Sequence, residues 1–411
     1  MTSISPDTPV PATSATGLAT RFLDRATPPH IGTLVGITGL SALTMAVFLP
    51  SLPKMAVEFG VSYDTMQLSV GLFLAINAVL QLFVGPLSDR FGRRPVLLWG
   101  FGLFALASAG CALATSAAMF LTFRMLQSFV VVGMVLSRAI VRDLFDQARA
   151  ASVIGYVMMG MSVVPMISPA IGGWIDGIAG WRAILWLLAV CGALVVALIW
   201  ADVGETLTNR GKSFSEQLHD YPHLLLSPRF WGYTLAAMFS SGAFFAYLGG
   251  GPLIGTAIYH LNEQQLGIAL GAPAAGYFLG NFISGRFSQR IGTDHMIRIG
   301  ALAIMLGMSM SAAFVALGHD TAVLFFGFMM FVGFGNGVLL PNAVAGMISV
   351  DPRLAGTASG LGGALQIAGG AALSVVAGKL LTGSPTSMPL ILIMFATALA
   401  SLLVTLLLRR S

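Results

Sequence analysis

The sequence is poor in the residues from which enzymes and metal proteins build their sites. Charged residues make up only 9% of its 411 residues, whereas a soluble domain usually has about 25%. Its two cysteines, Cys111 and Cys191, lie inside apolar runs without metal-binding spacing, and a buried apolar role is typical of such cysteines. The six histidines fall in tails, loops or the ends of apolar segments. We therefore expect no catalytic centre, no metal site and no cofactor.

Two further absences narrow the functional class. The sequence has no phosphate-binding P-loop, which argues against an ATP-driven pump. We also identify no segment that predicts an added soluble domain of the kind that a membrane sensor needs, so a sensor is not expected. The net charge of +5 comes from basic residues at the ends of apolar segments, so a nucleic-acid partner is not expected.

Apolar residues are what the sequence has in abundance. They form 56% of the chain, and the mean hydropathy is +0.86. In water such a chain would leave apolar surface uncovered, so a lipid membrane is its natural solvent. The 49 glycines agree with this, because small residues let membrane helices pack closely. The composition predicts an all-α integral membrane protein.

Twelve apolar segments are long enough to span a membrane, for which a helix needs about 20 residues. The longest polar break, 202–228, divides them into two six-helix halves at 31–201 and 229–408. Its stretch "SFSEQLHDYPHLLL" fits either an amphipathic surface helix or a solvated linker. Residues 1–30, rich in Pro, Thr and Ser, indicate a disordered cytoplasmic tail, and 409–411 form a short second tail. The predicted spans are about 31–53, 66–87, 95–115, 118–142, 149–174, 181–201, 229–250, 264–286, 295–317, 321–346, 353–381 and 387–408.

Lysine and arginine set the predicted orientation, because cytoplasmic loops of membrane proteins carry an excess of both. With the N-terminus in the cytoplasm, only Lys54, Arg182 and Lys379 fall on the outer side. The opposite orientation would reverse this imbalance. We therefore expect a multi-pass protein of the bacterial inner membrane, with both termini in the cytoplasm.

One charged motif is written twice. The stretch "GPLSDRFGRRP" begins at Gly85, and about two hundred residues later "GRFSQRIG" begins at Gly285, with Gln289 where the first copy has Asp89. Each copy follows the second segment of its set of six. A parallel repeat of this kind indicates two homologous halves.

The motifs resemble those of the major facilitator superfamily. "GPLSDRFGRRP" is similar to that family's signature after helix 2, "RMLQS" to the R-x-x-Q-G element of its drug:proton antiporters, and "SPAIGG" to their G-P-x-x-G-G element in helix 5. With "FLPSLP", "SRAIVRDLF" and "ETL", they resemble the bicyclomycin- and chloramphenicol-resistance branch over about residues 31–408. The residues in or beside the three motifs are Gly85, Asp89, Arg90, Gly92, Arg93 and Arg94, then Arg124 and Gln127, then Pro165, Pro169, Gly172 and Gly173.

The resemblance makes the first motif a gating latch between the two halves. The carboxylate of Asp89 is suited to accept backbone N–H groups from the start of a neighbouring helix, and the arginines to pair with it or with acidic lipid headgroups. The simpler alternative is an anchor that only fixes orientation. The prolines and glycines of helix 5 are expected to seal or hinge its contact with helix 8.

Arg124 lies inside predicted helix 4, where a charge usually faces a cavity and has a partner. The resemblance assigns Arg124 and Gln127 to proton coupling, and the alternative is a structural arginine bonded to backbone carbonyls. Because arginine does not release a proton in practice, it would act on a nearby acid or water chain. Arg138, in the same helix, is expected to contact substrate or to pair with Asp143.

The chain departs from the branch at one position. The resemblance leads us to expect an aspartate two residues before Phe48, but Ala46 stands there. A buried carboxylate would suit both a cationic drug and a proton, so its absence favours neutral or anionic substrates and weakens the case for proton antiport. The remaining acids that we consider fall at or beyond predicted helix ends, namely Asp89, Asp143, Asp176 and Glu263.

A substrate cavity is expected mid-span, lined by polar, aromatic and methionine side chains. The candidates are Met45, Phe48, Asn77, Gln81, Arg138, Met158, Phe245, Tyr247, Tyr277, Asn281, Asn336, Asn342 and Gln366. The predicted function is proton-driven export of small amphipathic compounds by alternating access. The alternative is transport of one metabolite with no role in drug resistance. Expected partners are a small-molecule substrate, protons and membrane lipids, and we expect a monomer.

Overall fold

A computed structural model describes residues 21–144, 164, 167–207, 222–351, 354–381 and 386–407, and its regular structure there is helical. Eleven helices in these ranges are long and apolar enough to cross a membrane. The predicted fifth span, 149–174, lies mostly outside the described residues, which show a helix at 167–179. The all-α membrane architecture is confirmed.

We number the helices α1 to α12 in chain order, which keeps six in each half. Most begin and end within a few residues of the predicted spans, and among the helices other than α5 the largest difference is the later end of α7. The helices are Ile31–Glu58, Tyr63–Phe91, Arg93–Ala112, Ala117–Val141, 167–179, Trp181–Asp202, Pro228–Ile258, Glu263–Ile291, Thr293–Ala316, Ala322–Val350, Ala355–Leu381 and Met388–Leu407.

Prolines shape α1 and α7. In α1 the α-helix ends at Ala46, a 3₁₀ turn runs over Leu49–Ser51, and helix resumes to Glu58. Pro50 lies in that turn and lacks the N–H that a continuous α-helix would need. In α7, Pro252 precedes a π-helical turn at Ile254–Ile258. With these irregular turns, both helices end several residues later than the length of their apolar segments predicts.

Glycines let α8 and α10 pack with their backbones in contact. A methyl group added at Gly276 would lie 1.8 Å from the carbonyl oxygen of Met330, and one at Gly333 would lie 1.7 Å from that of Pro273. Real side chains do not approach backbone so closely, so only glycine fits these positions. Small residues at helix crossings are the usual means of close packing in membranes.

Each half is tied at one end by a cluster that joins its three loops. In the first half, Glu58 accepts from Trp181 Nε1 at 2.6 Å and pairs with Arg182, whose Nη2 donates to Ala114 O at 3.2 Å. In the second half, Asp320 accepts from the Tyr259 hydroxyl and from Ser387 Oγ, the latter at 2.9 Å.

The tyrosine of the second cluster is held as a donor. Burial, together with the hydrogen bond to Asp320, raises the pKa of the Tyr259 hydroxyl above its usual value. It therefore remains protonated at neutral pH and can donate to the carboxylate. We call the end with these two clusters the clasp end, and the end with Arg93 the arginine-rich end.

Part of the predicted N-terminal tail packs on the first half. Asp202, at the end of α6, accepts from Leu23 N at 2.7 Å, from His30 N at 3.0 Å and from Thr33 Oγ1 at 2.6 Å. Its side chain is buried. The prediction of disorder is therefore wrong for residues 21–30, because a buried carboxylate needs the donors that this segment supplies.

Gly333→Ala and Gly327→Ala, both in α10, test the glycine packing. Nothing lies within 4 Å of a methyl group added at Gly327. We expect Gly333→Ala to lower the free energy of unfolding by about 1–3 kcal/mol through overpacking, and Gly327→Ala to be neutral or slightly stabilising because alanine favours a helix. Thermal melting of the purified protein in detergent measures the difference. Equal melting temperatures for the two variants would contradict this packing.

Candidate functional site

The duplicated motif builds a compact ion-pair cluster in its first copy. Asp89 Oδ1 lies 2.5 Å from Arg93 Nη1, and Arg93 Nε lies 3.0 Å from Asp143 Oδ2 at the end of α4. Arg93 also donates to the Ser88 hydroxyl. Arg93 therefore joins the ends of α2 and α4 to the start of its own helix, α3. Asp143, which we considered as a partner for Arg138, contacts Arg93.

A third acid, Glu205, caps the start of α3. Its carboxylate accepts from Arg93 N at 2.9 Å and from Arg94 N at 3.3 Å. Carboxylates at helix starts are stabilised by free N–H groups and by the helix dipole. We expected Asp89 to cap a neighbouring helix, but its contact here is with a side chain. The acid that fills the helix-start position comes from just after α6, so the cap also joins α6 to α3.

Gly92 makes the turn between α2 and α3 possible. Its φ is +96°, and a methyl group added there would lie 2.3 Å from Glu205 Oε2. Gly85, in contrast, has nothing within 4 Å of an added methyl group. Arg90 is exposed and stacks on Phe91 at 5.3 Å, outside the ion-pair cluster. Arg94 Nη2 donates to Trp200 O at 3.2 Å, which adds a second link to α6.

The second copy keeps the turn but not the ion pair. Gly292 has a φ of +89°, matching Gly92. Gln289 stands where the first copy has Asp89, and within the described part of the chain no side-chain cap is seen at the start of α9. The two halves therefore share a backbone geometry at this end, whereas the charge cluster belongs to the first half.

Arg124 is buried in α4, with 1% of its surface exposed. Its guanidinium donates to Thr44 O at 3.0 Å, to Ser69 O at 3.3 Å and to Gln127 Oε1 at 2.7 Å. The group lies over the rings of Phe48 at 4.2 Å and Phe73 at 4.0 Å.

Carbonyl dipoles and ring faces thus surround the Arg124 charge. Gln127 in turn donates to Ser108 Oγ at 2.8 Å, so the amide is held by α3. The contacts described for Arg124 include no carboxylate, and Ala46, at the position where an aspartate was expected, is fully buried. This geometry is that of the structural alternative, in which backbone carbonyls satisfy the arginine.

The helix-5 motif packs α5 against both halves at the clasp end. A methyl group added at Gly172 would lie 1.6 Å from Val47 O in α1, and one at Gly173 would lie 2.1 Å from Glu263 O in α8. One added at Gly267 would lie 2.4 Å from Pro169 O. Pro165 lies outside the described residues. The motif therefore brings α5 and α8 into backbone contact.

A cavity of about 200 Å³ lies within the second half, between α7, α8, α10 and α11. Four of the predicted residues line it, Phe245, Tyr277, Asn336 and Gln366. Asn336 is oriented by two bonds, because its Nδ2 donates to Val332 O and its Oδ1 accepts from Ser240 Oγ at 3.0 Å. The lining also includes Phe244, Leu248, Leu270 and Leu340, and among the described residues it carries no charged side chain.

The other predicted cavity residues within the described ranges do not line this cavity. Phe48 packs on Arg124, and the buried Tyr247 donates to Ala269 O at 3.2 Å. Asn342 is buried and donates to Ser284 Oγ at 2.9 Å, which joins α10 to α8. These side chains are satisfied within the packing, as hydrocarbon surroundings require. Five further candidates are outside the cavity lining, namely Met45, Asn77, Gln81, Arg138 and Asn281. The last candidate, Met158, lies outside the described residues.

Sequence reasoning missed the roles of three acids. Glu205 caps α3, Asp202 holds residues 21–30, and Asp176 lies inside the helix 167–179 with a fully buried side chain. We had placed Asp176 at or beyond a helix end. The only sequence signal was that Glu205 falls in "ETL", a motif of the branch that the chain resembles. Their partners are about 110 to 180 residues away in some cases, which no local pattern predicts.

Comparison with known proteins places this architecture in one family. The family model described as Major Facilitator Superfamily matches residues 34–262 and 251–411. The chain belongs to the Major Facilitator Superfamily. It is therefore a multi-pass membrane transporter, and its substrates are small molecules.

Relatives of this superfamily resemble the chain over most of its length. It is 32% identical to the uncharacterized MFS-type transporter YdgK of Bacillus subtilis, over 87% of the chain and 90% of the relative. It is 30% identical to the bicyclomycin resistance protein homolog of Haemophilus influenzae, over 82% and 86%. It is 32% identical to a chloramphenicol resistance protein of Pseudomonas aeruginosa, over 79% of each.

A solved structure shares the superfamily fold. A bacterial homolog of the human lysosomal transporter Spinster, in an inward-facing and occupied conformation, superposes with a TM-score of 0.72 at 18% identity. The match covers 92% of this chain and 96% of that one. At this identity the likeness concerns the fold alone.

Two substitutions in the same motif, Gly92→Ala and Gly85→Ala, test which of its glycines the backbone conformation requires. We expect Gly92→Ala to lower the free energy of unfolding by about 1–3 kcal/mol, because alanine is strained at a positive φ and the methyl group displaces Glu205. Gly85→Ala should be close to neutral in this conformation. Thermal melting in detergent compares the two, and a Gly85→Ala variant that is as destabilised as Gly92→Ala would contradict the assignment.

Arg124→Lys tests the buried arginine network. A lysine ammonium cannot reach three acceptors in a planar fork, so we expect buried carbonyls to lose their donors, at a cost of about 1–3 kcal/mol for each. The matched control is Arg182→Lys, because Arg182 is 41% exposed at the clasp end. The melting temperature of Arg124→Lys should fall clearly below that of the control. Equal values would show that the network contributes little.

Proposed function

We propose that this protein exports small amphipathic compounds, neutral or anionic, from the bacterial cytoplasm by proton antiport. It works by alternating access in the inner membrane, with the arginine-rich end and both termini in the cytoplasm. Two relatives support the substrate class through their names, which refer to resistance to bicyclomycin and chloramphenicol. The excess of lysine and arginine on the proposed inner side supports the orientation.

The observation that carries the proposal is the chemistry of the second-half cavity. Aromatic and aliphatic side chains form most of its wall, and the polar residues Asn336, Gln366 and Tyr277 also line it. Such a wall suits an amphipathic ligand. Since no described lining side chain is charged, a cation would lose its hydration here without gaining a counter-charge from these residues. This favours neutral compounds within the proposed class.

The size of the cavity also limits the size of the substrates that it can hold. Its volume of about 200 Å³ lies below the usual range of ligand pockets, which is about 300–1,000 Å³. We therefore expect compact compounds with one ring system rather than large polycyclic drugs. A larger substrate would require the two halves to separate beyond the described conformation.

The contacts between the halves support alternating access with the clasp end closed. Tyr63 Oη donates to Gly249 O at 2.8 Å, and Gln67 Nε2 donates to Ser374 O, both between α2 and the second half. On the other side of the molecule, α5 packs on α8 through Gly173. The clasp end would face outward, so the described conformation is closed to the outside.

The ion-pair cluster around Arg93 is also proposed to act in the transport cycle. The described contacts of Asp89 and Arg93 lie within the first half. We propose that the latch between halves engages only after the clasp end opens, when the start of α11 approaches Asp89. In the described state the cluster keeps the ends of α2, α3, α4 and α6 together as one moving body.

Arg124 and Gln127 are proposed to act in coupling through a fixed charge. The buried guanidinium keeps the first half positive near its centre, which repels a cationic substrate. Because arginine retains its proton, the protons that exchange against substrate would bind to other groups, whose affinity this charge lowers. The same charge supports the preference for neutral or anionic compounds.

Expression in a bacterium stripped of its own exporters tests the function. We expect raised resistance to phenicols or bicyclomycin-like compounds, reduced at least severalfold by Tyr277→Ala, which removes a cavity wall. The matched control is Phe278→Ala in the same helix, because Phe278 is 66% exposed on the outer surface. Resistance to cationic dyes alone would contradict the charge argument, and resistance to no compound would favour a metabolite transporter.

Everted vesicles from the same cells test proton coupling. Addition of a substrate found in the resistance screen should release protons from the acidified vesicle interior, seen as recovery of a pH-sensitive dye. Transport of substrate without any proton movement would overturn the antiport step. It would leave the export function in place.

A further inference from the structure

At the clasp end one lysine lies between two acids from different halves. Lys54, in the last turns of α1, has its Nζ 2.9 Å from Asp176 Oδ1 in α5 and 3.5 Å from Glu263 Oε1 in α8. Lys54 and Asp176 belong to the first half, and Glu263 belongs to the second. The ion pair between Lys54 and Glu263 therefore crosses the boundary that alternating access must open.

Burial differs sharply among the three side chains. Asp176 is fully buried, whereas Lys54 is 45% exposed and Glu263 is 34% exposed. A buried carboxylate strongly needs a partner, so Asp176 holds the flexible lysine in one position. An exposed lysine without such a partner would lose more conformational entropy when it forms a surface pair.

The backbone around Glu263 brings it within reach of Lys54. Gly173 of α5 packs against the carbonyl of Glu263, and Gly267 packs against the carbonyl of Pro169. Asn262 and Gln265 form a capping box that fixes the first turn of α8, where Glu263 lies. The position of the glutamate thus follows from rigid helix contacts rather than from a loose loop.

We propose that Lys54, Asp176 and Glu263 form the outer gate of the transport cycle. The pair between Lys54 and Glu263 breaks each time the clasp end opens and forms again when it closes. Asp176 is a positioning residue that aims the lysine across the boundary. This inference rests on the alternating access put forward under the proposed function.

The arrangement makes the gate reversible. When α8 moves away, Lys54 keeps its bond to Asp176, so no buried carboxylate is left without a partner. Glu263 lies in the first turn of α8, where the positive end of the helix dipole and water stabilise a free carboxylate. Only the half-exposed pair is lost, and such pairs are weak enough to break at each cycle.

A second ion pair at the same end provides a matched control. Glu58 and Arg182 pair within the first half, with both side chains 41% exposed. Glu58→Gln removes one negative charge from the clasp end, as Glu263→Gln does. It breaks no described hydrogen bond or ion pair between the halves, because the described partners of Glu58 in such bonds are Arg182 and Trp181.

The test measures the distance between the halves with spin labels in lipid nanodiscs. Leu113→Cys and Leu317→Cys place labels at the clasp-end ends of α3 and α9, where the side chains are 60% and 73% exposed. Cys111→Ala and Cys191→Ala remove the native thiols. Double electron–electron resonance then gives the populations of the short and long distances.

We expect Glu263→Gln and Lys54→Gln to raise the ratio of long to short distances by about two- to fivefold, the size expected from the loss of one half-exposed ion pair. Asp176→Asn should shift the ratio in the same direction, although its own contact does not cross the boundary. Glu58→Gln should leave the ratio unchanged. If these residues had a purely structural role, the substitutions would lower the melting temperature, but the gate variants would not differ from Glu58→Gln in the ratio of long to short distances.

The gate would be overturned if Glu263→Gln kept the wild-type distances, or if Glu58→Gln shifted them as much. These outcomes differ from failure of the proposed function. If the distances shift as expected but no compound is exported, the gate stands and the substrate assignment fails. If export occurs and the distances do not respond to the three gate substitutions, the gate fails alone.

Discussion

The cost of placing a charge in an apolar interior governs this structure. The chain keeps most of its few charges at helix ends, where water, headgroups and helix termini can stabilise them. Each cluster there also has a mechanical result. Glu205 and Arg93 join four helix ends at one side, and Glu58 and Asp320 each join three loops at the other. The charged residues at the helix ends thus link the helices of each half to one another.

Arg124 is a buried charge well inside α4, and its surroundings show what such a charge requires here. Two backbone carbonyls, the Gln127 amide and two aromatic rings surround the guanidinium. Partial charges in fixed positions replace a counter-ion, which suits a site where Ala46 stands in place of an acid. Because these partners belong to α1, α2 and α4, the arginine also holds these three helices together in the centre of the first half.

The two halves divide their tasks although they share a repeat. The first half holds Arg124 and the cluster around Arg93, whereas the described cavity lies in the second half and has an uncharged wall. Glycine contacts at Gly276 and Gly333 keep that second half tightly packed. The halves meet through α2 with α11 and through α5 with α8. The one described ion pair that crosses between them lies beside the second of these contacts and joins Lys54 in α1 to Glu263 in α8.

The sequence by itself determined the solvent, the helical class, the repeat and the approximate spans, because these depend on long apolar runs and on motifs that can be read locally. It also pointed to Phe245, Tyr277, Asn336 and Gln366, since amides and aromatics mid-span favour a cavity. Only the tertiary structure decided which charges meet. The Arg93 guanidinium pairs with Asp143, 50 residues away, and Asp176 is buried against Lys54. Such pairings depend on how helices cross at single glycines, and no periodicity in the chain records that geometry.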